Sequence, residues 1–433
     1  METLRRRLEE RERRGEPVRV GLVGAGQMGL GLAAVLGRMP GMRLVAVADL
    51  LLDRALDAFR HGGVRRDEIA EAGTAAGAHG ALARRRRVAT TVGELVPQLP
   101  VDVVVDATGI PLPAALTAAR AIEARKHVVL LTVEADVTVG HLLHRRAAEA
   151  GVVYTGAAGD EPAATKELVD FARFLGFEIV CAGKGKNNPL DRRATAQSLE
   201  AEARARGINP RMLAEFVDGT KSMVEMACLA NATGLVPDVR GMHAARATPA
   251  ELARVLIPIE DGGILKRRGV VDFAIGVAPG VFVVIHTDHP VIQEELRYLK
   301  IGEGPYFALY RPYHLTSVET PISIAKAVLD HEATIAPLPE SMAEVIAVAK
   351  RALRPGERLG LPGEDTVYGL IEEAGVARHE NLLPMGLTRN AEVLVELAPD
   401  QPIRWDDVAV EETALLAMRR EQDRMWGKMT NDQ

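Results

Sequence analysis

Lys184 and Lys186, two positions apart and followed by Asn187, Asn188 and Asp191, form the densest polar cluster in this chain of 433 residues. On an extended backbone alternate residues share a face, so both ammonium groups project together. Two such cations beside two amides suit a phosphate or a carboxylate. A lysine desolvated there also loses pKa and becomes a proton donor to a carbonyl oxygen. The same residues read equally as an exposed basic loop. A second cluster, Asp218, Lys221 and Glu225, has spacings of three and four that place it on one helical stripe. Acid, base and acid there suit a proton relay or a divalent ion. The plainer reading makes Asp218 a helix cap and Lys221 with Glu225 a surface pair. Third, Glu134 and Asp136 follow an apolar strand, with Asp160 and Glu161 after the next one; Glu134 is a candidate base or metal ligand. The histidines His243, His286, His289 and His314 show no paired metal-ligand spacing.

Such side chains need a scaffold, and the strongest one lies upstream. Val18 to Val23 form an apolar strand that runs into Gly24-Ala25-Gly26-Gln27-Met28-Gly29, after which Met28, Leu32, Val35 and Leu36 recur at helical spacing. Strand, glycine turn and helix in that order are the dinucleotide fingerprint. Gly24 permits the tight turn, Gly26 lets the backbone approach a pyrophosphate, and Gly29 lets helix pack on strand. The helix start at Gln27 and Met28 offers unpaired N–H groups to the phosphates. A second strand, Leu44 to Ala48, closes on Asp49, an acid that suits a ribose 2′-OH and disfavours a 2′-phosphate. The run Arg84 to Arg87 reads as solvated charge at a strand entrance rather than a 2′-phosphate clamp. Val101 to Thr108 is a near-continuous apolar strand, as expected of one covered on both faces. It ends at Thr108-Gly109, where the carboxyl edge of such a sheet meets its ligand. Helices are expected over Ala70–Leu82, Leu112–Arg125 and Val139–Ala150, and strands over His127–Val133 and Gly151–Tyr154. The alternation implies a parallel doubly wound sheet.

Beyond Gly156 the texture changes to mixed α+β, with helices over Ala163–Gly176 and Lys221–Asn231, and with Asp218-Gly219-Thr220 interrupting or restarting a helical stretch. Ala336-Pro337-Leu338-Pro339 marks a linker, followed by short strands and a charged final helix, Glu411 to Met425. Hydrophobic residues make up 47% and charged ones 26%, the profile of a globular protein, and the net charge of −6 argues against bulk electrostatic binding to nucleic acid. The two cysteines, Cys181 and Cys228, form no ligand spacing and read as small buried hydrophobes in a reducing compartment. No run of about 18 apolar residues suggests a membrane span. The N-terminal stretch is charged and lacks the apolar segment of a secretory signal. A cytoplasmic location follows as an expectation.

From Val18 to about Ile335 the chain resembles the homoserine-dehydrogenase-like oxidoreductases. Within them it is most similar to the 1-deoxy-D-xylulose 5-phosphate reductoisomerase-like branch. The resemblance is carried by GLVGAGQMG, VEADVTVG (Val133 to Gly140), GDEPA (Gly159 to Ala163), AGKGKNNPLD (Ala182 to Asp191) and DGTKSMVEMACLANATGL (Asp218 to Leu235). The tail resembles a SAF domain through LRPGERL (Leu353 to Leu359), LLPMGL (Leu382 to Leu387) and WDDV (Trp405 to Val408). The implied class is α/β in three parts: a Rossmann NAD(P)-binding domain over 1–155, an α+β catalytic domain over 156–335, and a small mostly-β SAF-like domain with a C-terminal helix over 336–433. Homoserine dehydrogenases carry an Asn-Lys pair after the fifth strand. Val133-Glu134 stands here instead, which argues against homoserine as substrate.

The branch implies NADPH, while Asp49 by itself points to NAD. It further implies a small phosphorylated ketose, first 1-deoxy-D-xylulose 5-phosphate, converted to 2-C-methyl-D-erythritol 4-phosphate, an isoprenoid precursor, with a divalent Mg or Mn as an optional partner. On this reading Lys184 or Lys186 holds the anionic tail, Lys221 donates a proton and Asp218 orients it. Glu134 serves as base or metal ligand, and Asn187, Asn188, Asp191 and Glu225 contact the substrate. The dinucleotide falls to Gly24, Gly26, Gln27, Met28, Gly29, Asp49, Thr108 and Gly109. Expected partners are a small anionic substrate and further copies of the chain in a homo-oligomer, without nucleic acid or membrane. The alternatives are a sugar-acid or polyol dehydrogenase or oxidoisomerase on the same scaffold, and a non-catalytic nucleotide sensor.

Overall fold

The computed structural model describes residues 1–429. The chain forms two compact units, each assembled from separated stretches. One comprises Met1–Asp160, Leu315–Ala336 and the chain from Met418 onward; the other comprises Glu161–His314 and Pro337–Ala417. The 337–417 tail therefore shares a unit with the middle of the chain.

The first unit is built on seven strands: β1 (Val18–Val23), β2 (Met42–Ala48), β3 (Ile69–Glu71), β4 (Arg87–Thr90), β5 (Val103–Asp106), β6 (His127–Leu130) and β7 (Tyr154–Gly156). Their order is β3-β4-β2-β1-β5-β6-β7 and every pairing is parallel. The helices are α1 (Glu2–Arg13), α2 (Gln27–Leu36), α3 (Leu52–His61), α4 (Ala75–Ala83), α5 (Pro111–Glu123) and α6 (Val133–Ala150). Val103, Val104 and Val105 of β5 are all fully buried, which explains an apolar run without alternation. Leu32, Leu36, Ala55 and Phe59 of α2 and α3 close over Val18, Val20 and Leu22 of β1. Because β1 has β2 on one side and β5 on the other, the strand order reverses there. Ligands bind at the carboxyl ends of such a junction.

Two local expectations fail in this unit. The helix placed over Ala70–Leu82 is a strand followed by a shorter helix: β3 pairs with β4, and Thr74 caps α4 by accepting from the Gly77 N–H at 3.2 Å. Edge pairing overrides the helical bias of the Ala-rich stretch. The strand expected over His127–Val133 ends at Leu130, and Val133 opens α6. Glu134 and Asp136 thus lie in a helical first turn, where the macrodipole favours acids, and not in a loop. The arginine run ties strands together: Arg86 donates to the Ile69 carbonyl, and Arg87 to the Leu44 carbonyl at 2.9 Å.

The second unit holds a six-stranded mixed sheet of β8 (Glu178–Lys186), β9 (Val236–Pro237), β10 (Ala245–Arg246), β11 (Val270–Ile275), β12 (Val281–His286) and β13 (Tyr306–Arg311). The order is β10-β11-β8-β12-β13, with β9 also on β11. β8 is central, parallel to β11 and antiparallel to β12. Helices α7 (Glu161–Phe174), α8 (Glu200–Arg206), α9 (Pro210–Asp218) and α10 (Thr220–Thr233) precede or follow β8. The tail adds a hairpin-like pair, β14 (Ala343–Ala349) with β15 (Val367–Glu373), and a small pair, β16 (Glu392–Val393) with β17 (Val408–Ala409). Cys181 and Cys228 are both buried, in β8 and α10. Among the described residues no helix is long and apolar enough to cross a membrane.

Candidate functional site

In the first unit the fingerprint turn has the geometry its residues imply. Gly24 has φ +95, and a Cβ there would lie 2.6 Å from the backbone of Ala107, so the turn after β1 abuts the chain leaving β5. A Cβ at Gly29 would be driven into the Gly24 carbonyl oxygen, whereas one at Gly26 would meet nothing within 4 Å. Tight packing at the first and third glycines with open space at the second is what a bridging pyrophosphate requires. Gly26 is the N-cap of α2 and supplies no side-chain cap, so the N–H groups of Gln27 and Met28 begin the helix without one. Asp49 Oδ2 accepts from the Ala25 N–H at 2.8 Å and Oδ1 from the Leu51 N–H at 3.0 Å, which holds the carboxylate beside the turn. These residues fit a dinucleotide. Gly29→Ala is expected to raise the dinucleotide Kd about 10- to 100-fold by fluorescence titration; an unchanged Kd would remove the turn from cofactor binding.

A buried acid organises the next stretch of this edge. Asp106, at the end of β5, is fully buried; its Oδ1 accepts from Thr108 N at 3.2 Å, Thr108 Oγ1 at 2.9 Å and Thr132 Oγ1 at 2.6 Å. Thr132 Oγ1 in turn accepts from the Gly109 N–H at 3.0 Å. The Thr108-Gly109 turn is thus shaped by Asp106 and Thr132, which sequence reasoning did not single out. Burial, opposed by those hydrogen bonds and abetted by the Glu134 charge, raises the Asp106 carboxyl to about 6. Glu134 is buried beside it, in this unit, while the lysine clusters lie in the other.

In the second unit Lys184 and Lys186 both lie on β8 itself and both are buried, which excludes the exposed-loop reading. Lys184 Nζ donates to Glu161 Oε1 at 2.8 Å, at the start of α7, and to Glu225 Oε2 on α10. His314 Nε2 lies 3.4 Å from the same Glu161 oxygen. Burial works against the Lys184 charge, but the Glu161 and Glu225 carboxylates together outweigh it and raise its pKa above the ordinary lysine value. Burial and the facing Glu161 raise Glu225, against Lys184 and Lys221. Lys186 has a different environment. Its Nζ donates to the Phe216 carbonyl near the end of α9, and burial together with the Lys184 charge lowers it to about 8. The two lysines of one strand thus have their pKa values shifted in opposite directions.

Asp218, Lys221 and Glu225 do not share one helix. Asp218 ends α9, Gly219 takes φ +90, and α10 starts at Thr220. The left-handed residue favours glycine and resets the helical phase. Asp218 Oδ1 accepts from the Thr220 N–H at 2.9 Å, and its Oδ2 pairs with Lys350 Nζ at 2.8 Å, so its charge partner comes from the tail. Lys221 is half-buried in the first turn of α10, one turn before Glu225, whose pKa it lowers. Asn187 and Asn188 follow β8, the first exposed and the second half-buried, with Arg206 Nη1 3.4 Å from Asn188 Oδ1. Asp191 is exposed, and its carboxylate accepts from the Arg193 N–H at 2.9 Å, a turn cap that gives no independent sign of substrate contact. Glu161, His314 and Lys350 complete these clusters. Glu161 left a trace in the sequence as an acid just past a strand, His314 only as a histidine without paired metal-ligand spacing, and Lys350 none.

Residues 159–320 match the family described as oxidoreductase DRL, catalytic domain. With the Rossmann sheet and its fingerprint turn, that match decides the class. The chain is an NAD(P)-dependent oxidoreductase. No curated protein matches it. Among solved structures it is similar to a probable dehydrogenase from Thermotoga maritima, at 13% identity over 73% of this chain and 90% of that one, with a TM-score of 0.42. A scyllo-inositol dehydrogenase from Lactobacillus casei, solved with NAD(H) and scyllo-inositol, is 13% identical over 68% and 76%, with a TM-score of 0.38. The 3-ketoreductase KijD10 from Actinomadura kijaniata, solved with NADP, is 15% identical over 72% and 90%, with a TM-score of 0.34.

Proposed function

We propose that this oxidoreductase acts on a small phosphorylated ketose, with 1-deoxy-D-xylulose 5-phosphate the first candidate, in the manner of a reductoisomerase. The carrying observation is the buried pairing of Lys184 with Glu161 and Glu225, next to a second lysine of lowered pKa. In such a reaction the carbon skeleton rearranges without net oxidation to a branched aldehyde. Hydride and one proton then reduce the aldehyde to a primary alcohol, giving 2-C-methyl-D-erythritol 4-phosphate. The dinucleotide, held by Gly24 to Gly29 and Asp49, supplies the hydride.

Negative charge develops on oxygen in both stages and needs a fixed cation. Lys184 answers that need: among the described residues two of its three N–H groups are committed to Glu161 and Glu225, which leaves one for a substrate oxygen. Lys186 supplies the proton, a role first expected of Lys221. Lys221, half-buried at the start of α10, serves the anionic tail with Asn187 and Asn188. Glu161 and Glu225 already share an ammonium group, so this reading supplies a cation without a divalent metal. The resemblance of the tail to SAF domains and of the middle to the reductoisomerase-like branch is consistent with it.

The test is oxidation of NADH and of NADPH against phosphorylated ketoses, with and without Mg²⁺ or Mn²⁺, with product analysis for a branched polyol phosphate. We expect turnover on a ketose phosphate without added metal, with NADH preferred because Asp49 repels a 2′-phosphate. Turnover only on unphosphorylated polyols or sugar acids would replace this reading with a plain dehydrogenase. Dinucleotide binding without turnover on any of them would point to a sensor.

A further inference from the structure

Lys350 is buried to 2% exposure in the tail, directly after β14, and all three of its N–H groups are committed. Nζ donates to the Ala194 carbonyl at 2.7 Å, to Asp218 Oδ2 at 2.8 Å and to the Glu364 carbonyl at 2.9 Å. An ammonium group with every proton spent inside the protein has none to give a substrate. What it does is join three segments that the chain separates widely: the turn after the Asn187–Asp191 loop, the break between α9 and α10, and the tail loop before β15.

The segments it joins are those that aim the site. Asp218 fixes Thr220 by accepting its N–H, and Lys221 is the next residue. The Asp191 N–H donates to the Val217 carbonyl at 3.0 Å, and a Cβ on Gly219 would stand 2.7 Å from Leu190, so the loop after β8 lies against the helix break. Lys186 holds the Phe216 carbonyl two residues before Asp218. The tail reinforces the same junction. The Gly369 N–H donates to Thr220 Oγ1 at 2.9 Å, the Ala196 N–H to the Gly363 carbonyl at 2.9 Å, and Arg211 Nη1 to the Pro362 carbonyl at 3.1 Å.

We infer that Lys350 is a positioning residue for the reaction, acting through Asp218 and Ala194 to fix the helix break that presents Lys221 and the loop that follows Lys186. The inference rests on the functional reading above. It gives the tail a part in the chemistry of the unit it belongs to. Removing one partner of a buried ion pair leaves a charge uncompensated, while removing both is often neutral for stability. The two variants therefore separate positioning from folding.

Lys350→Met is expected to lower kcat at least about tenfold and to lower the thermal midpoint, with KM for the dinucleotide unchanged. The double variant Lys350→Met with Asp218→Asn keeps an acceptor for Thr220 N and carries no unpaired charge. It should recover the thermal midpoint while kcat stays low. Recovery of kcat together with the midpoint would make Lys350 a charge compensator only and overturn the inference, as would wild-type kcat in the single variant. If the wild type turns over no ketose phosphate, the functional reading has failed, and hydrogen exchange decides the role of Lys350 separately. Faster exchange at 191–194 and 219–221 in the double variant would uphold the clamp; unchanged exchange there would overturn it.

Discussion

Lys184→Met is expected to cost turnover about 10²- to 10³-fold, the loss typical when a donor aimed at a developing oxyanion is removed. It should also destabilise the protein by about 3–5 kcal/mol, because it strips the shared cation from the buried Glu225 and the half-buried Glu161. Glu225 is 2% exposed and already pushed up by burial and by Glu161, and losing Lys184 takes away one of the two lysines that oppose that shift. Adding Glu225→Gln to Lys184→Met should restore much of the thermal midpoint and none of the turnover, since it removes the stranded charge and not the missing donor. The measurements are kcat on the ketose phosphate and thermal unfolding of wild type, single and double variants. A single variant with normal kcat would show that Lys184 serves the fold alone.

Lys186 is expected to govern the pH dependence. Its pKa of about 8 in the fold lies below the ordinary 10.5, with burial the first cause and the Lys184 charge the second. Below about pH 8 the folded and unfolded chains both carry the proton, and the fold bears the whole penalty of a buried ammonium. Between about 8 and 10.5 the unfolded chain still holds a proton that the folded one has released, so stability rises with pH; above 10.5 the penalty is gone. At about 1.4 kcal/mol per unit, the effect is on the order of 3 kcal/mol. As the proton donor, Lys186 must be charged to act, so kcat should fall as pH climbs through about 8. Lys186→Met should lower kcat by about 10²- to 10⁴-fold and abolish both the alkaline fall and the rise in stability. The checks are a pH–rate profile and thermal midpoints from pH 6 to 10.5. An alkaline limb that survives in the variant would assign the proton to another group.

Both expectations turn on a difference the local sequence does not contain. Lys184 and Lys186 sit two apart on one strand, flanked by the same glycine, and the motif treats them as a pair. Their proton affinities part because Glu161, 23 residues before, and Glu225, 41 residues after, both bond directly to the first. The second meets a helix carbonyl instead.

Features that depend only on neighbours along the chain were legible before folding was considered. The turn from Gly24 to Gly29 needs only the absence of three side chains, the apolar run into Asp106 announces a strand covered on both faces, and Gly234 stops α10 where a left-handed residue is required. Tertiary structure decided the rest. β3 exists because β4 is there to pair with it, Glu134 lies in a helical turn beside Asp106, and Asp218 belongs to Lys350, 132 residues away. Backbone conformation is set by steric rules acting over a few residues, so spacing reveals it. A charge in a protein interior responds to every group within several ångströms and to the water excluded around it, and which groups those are is known only once the chain has folded.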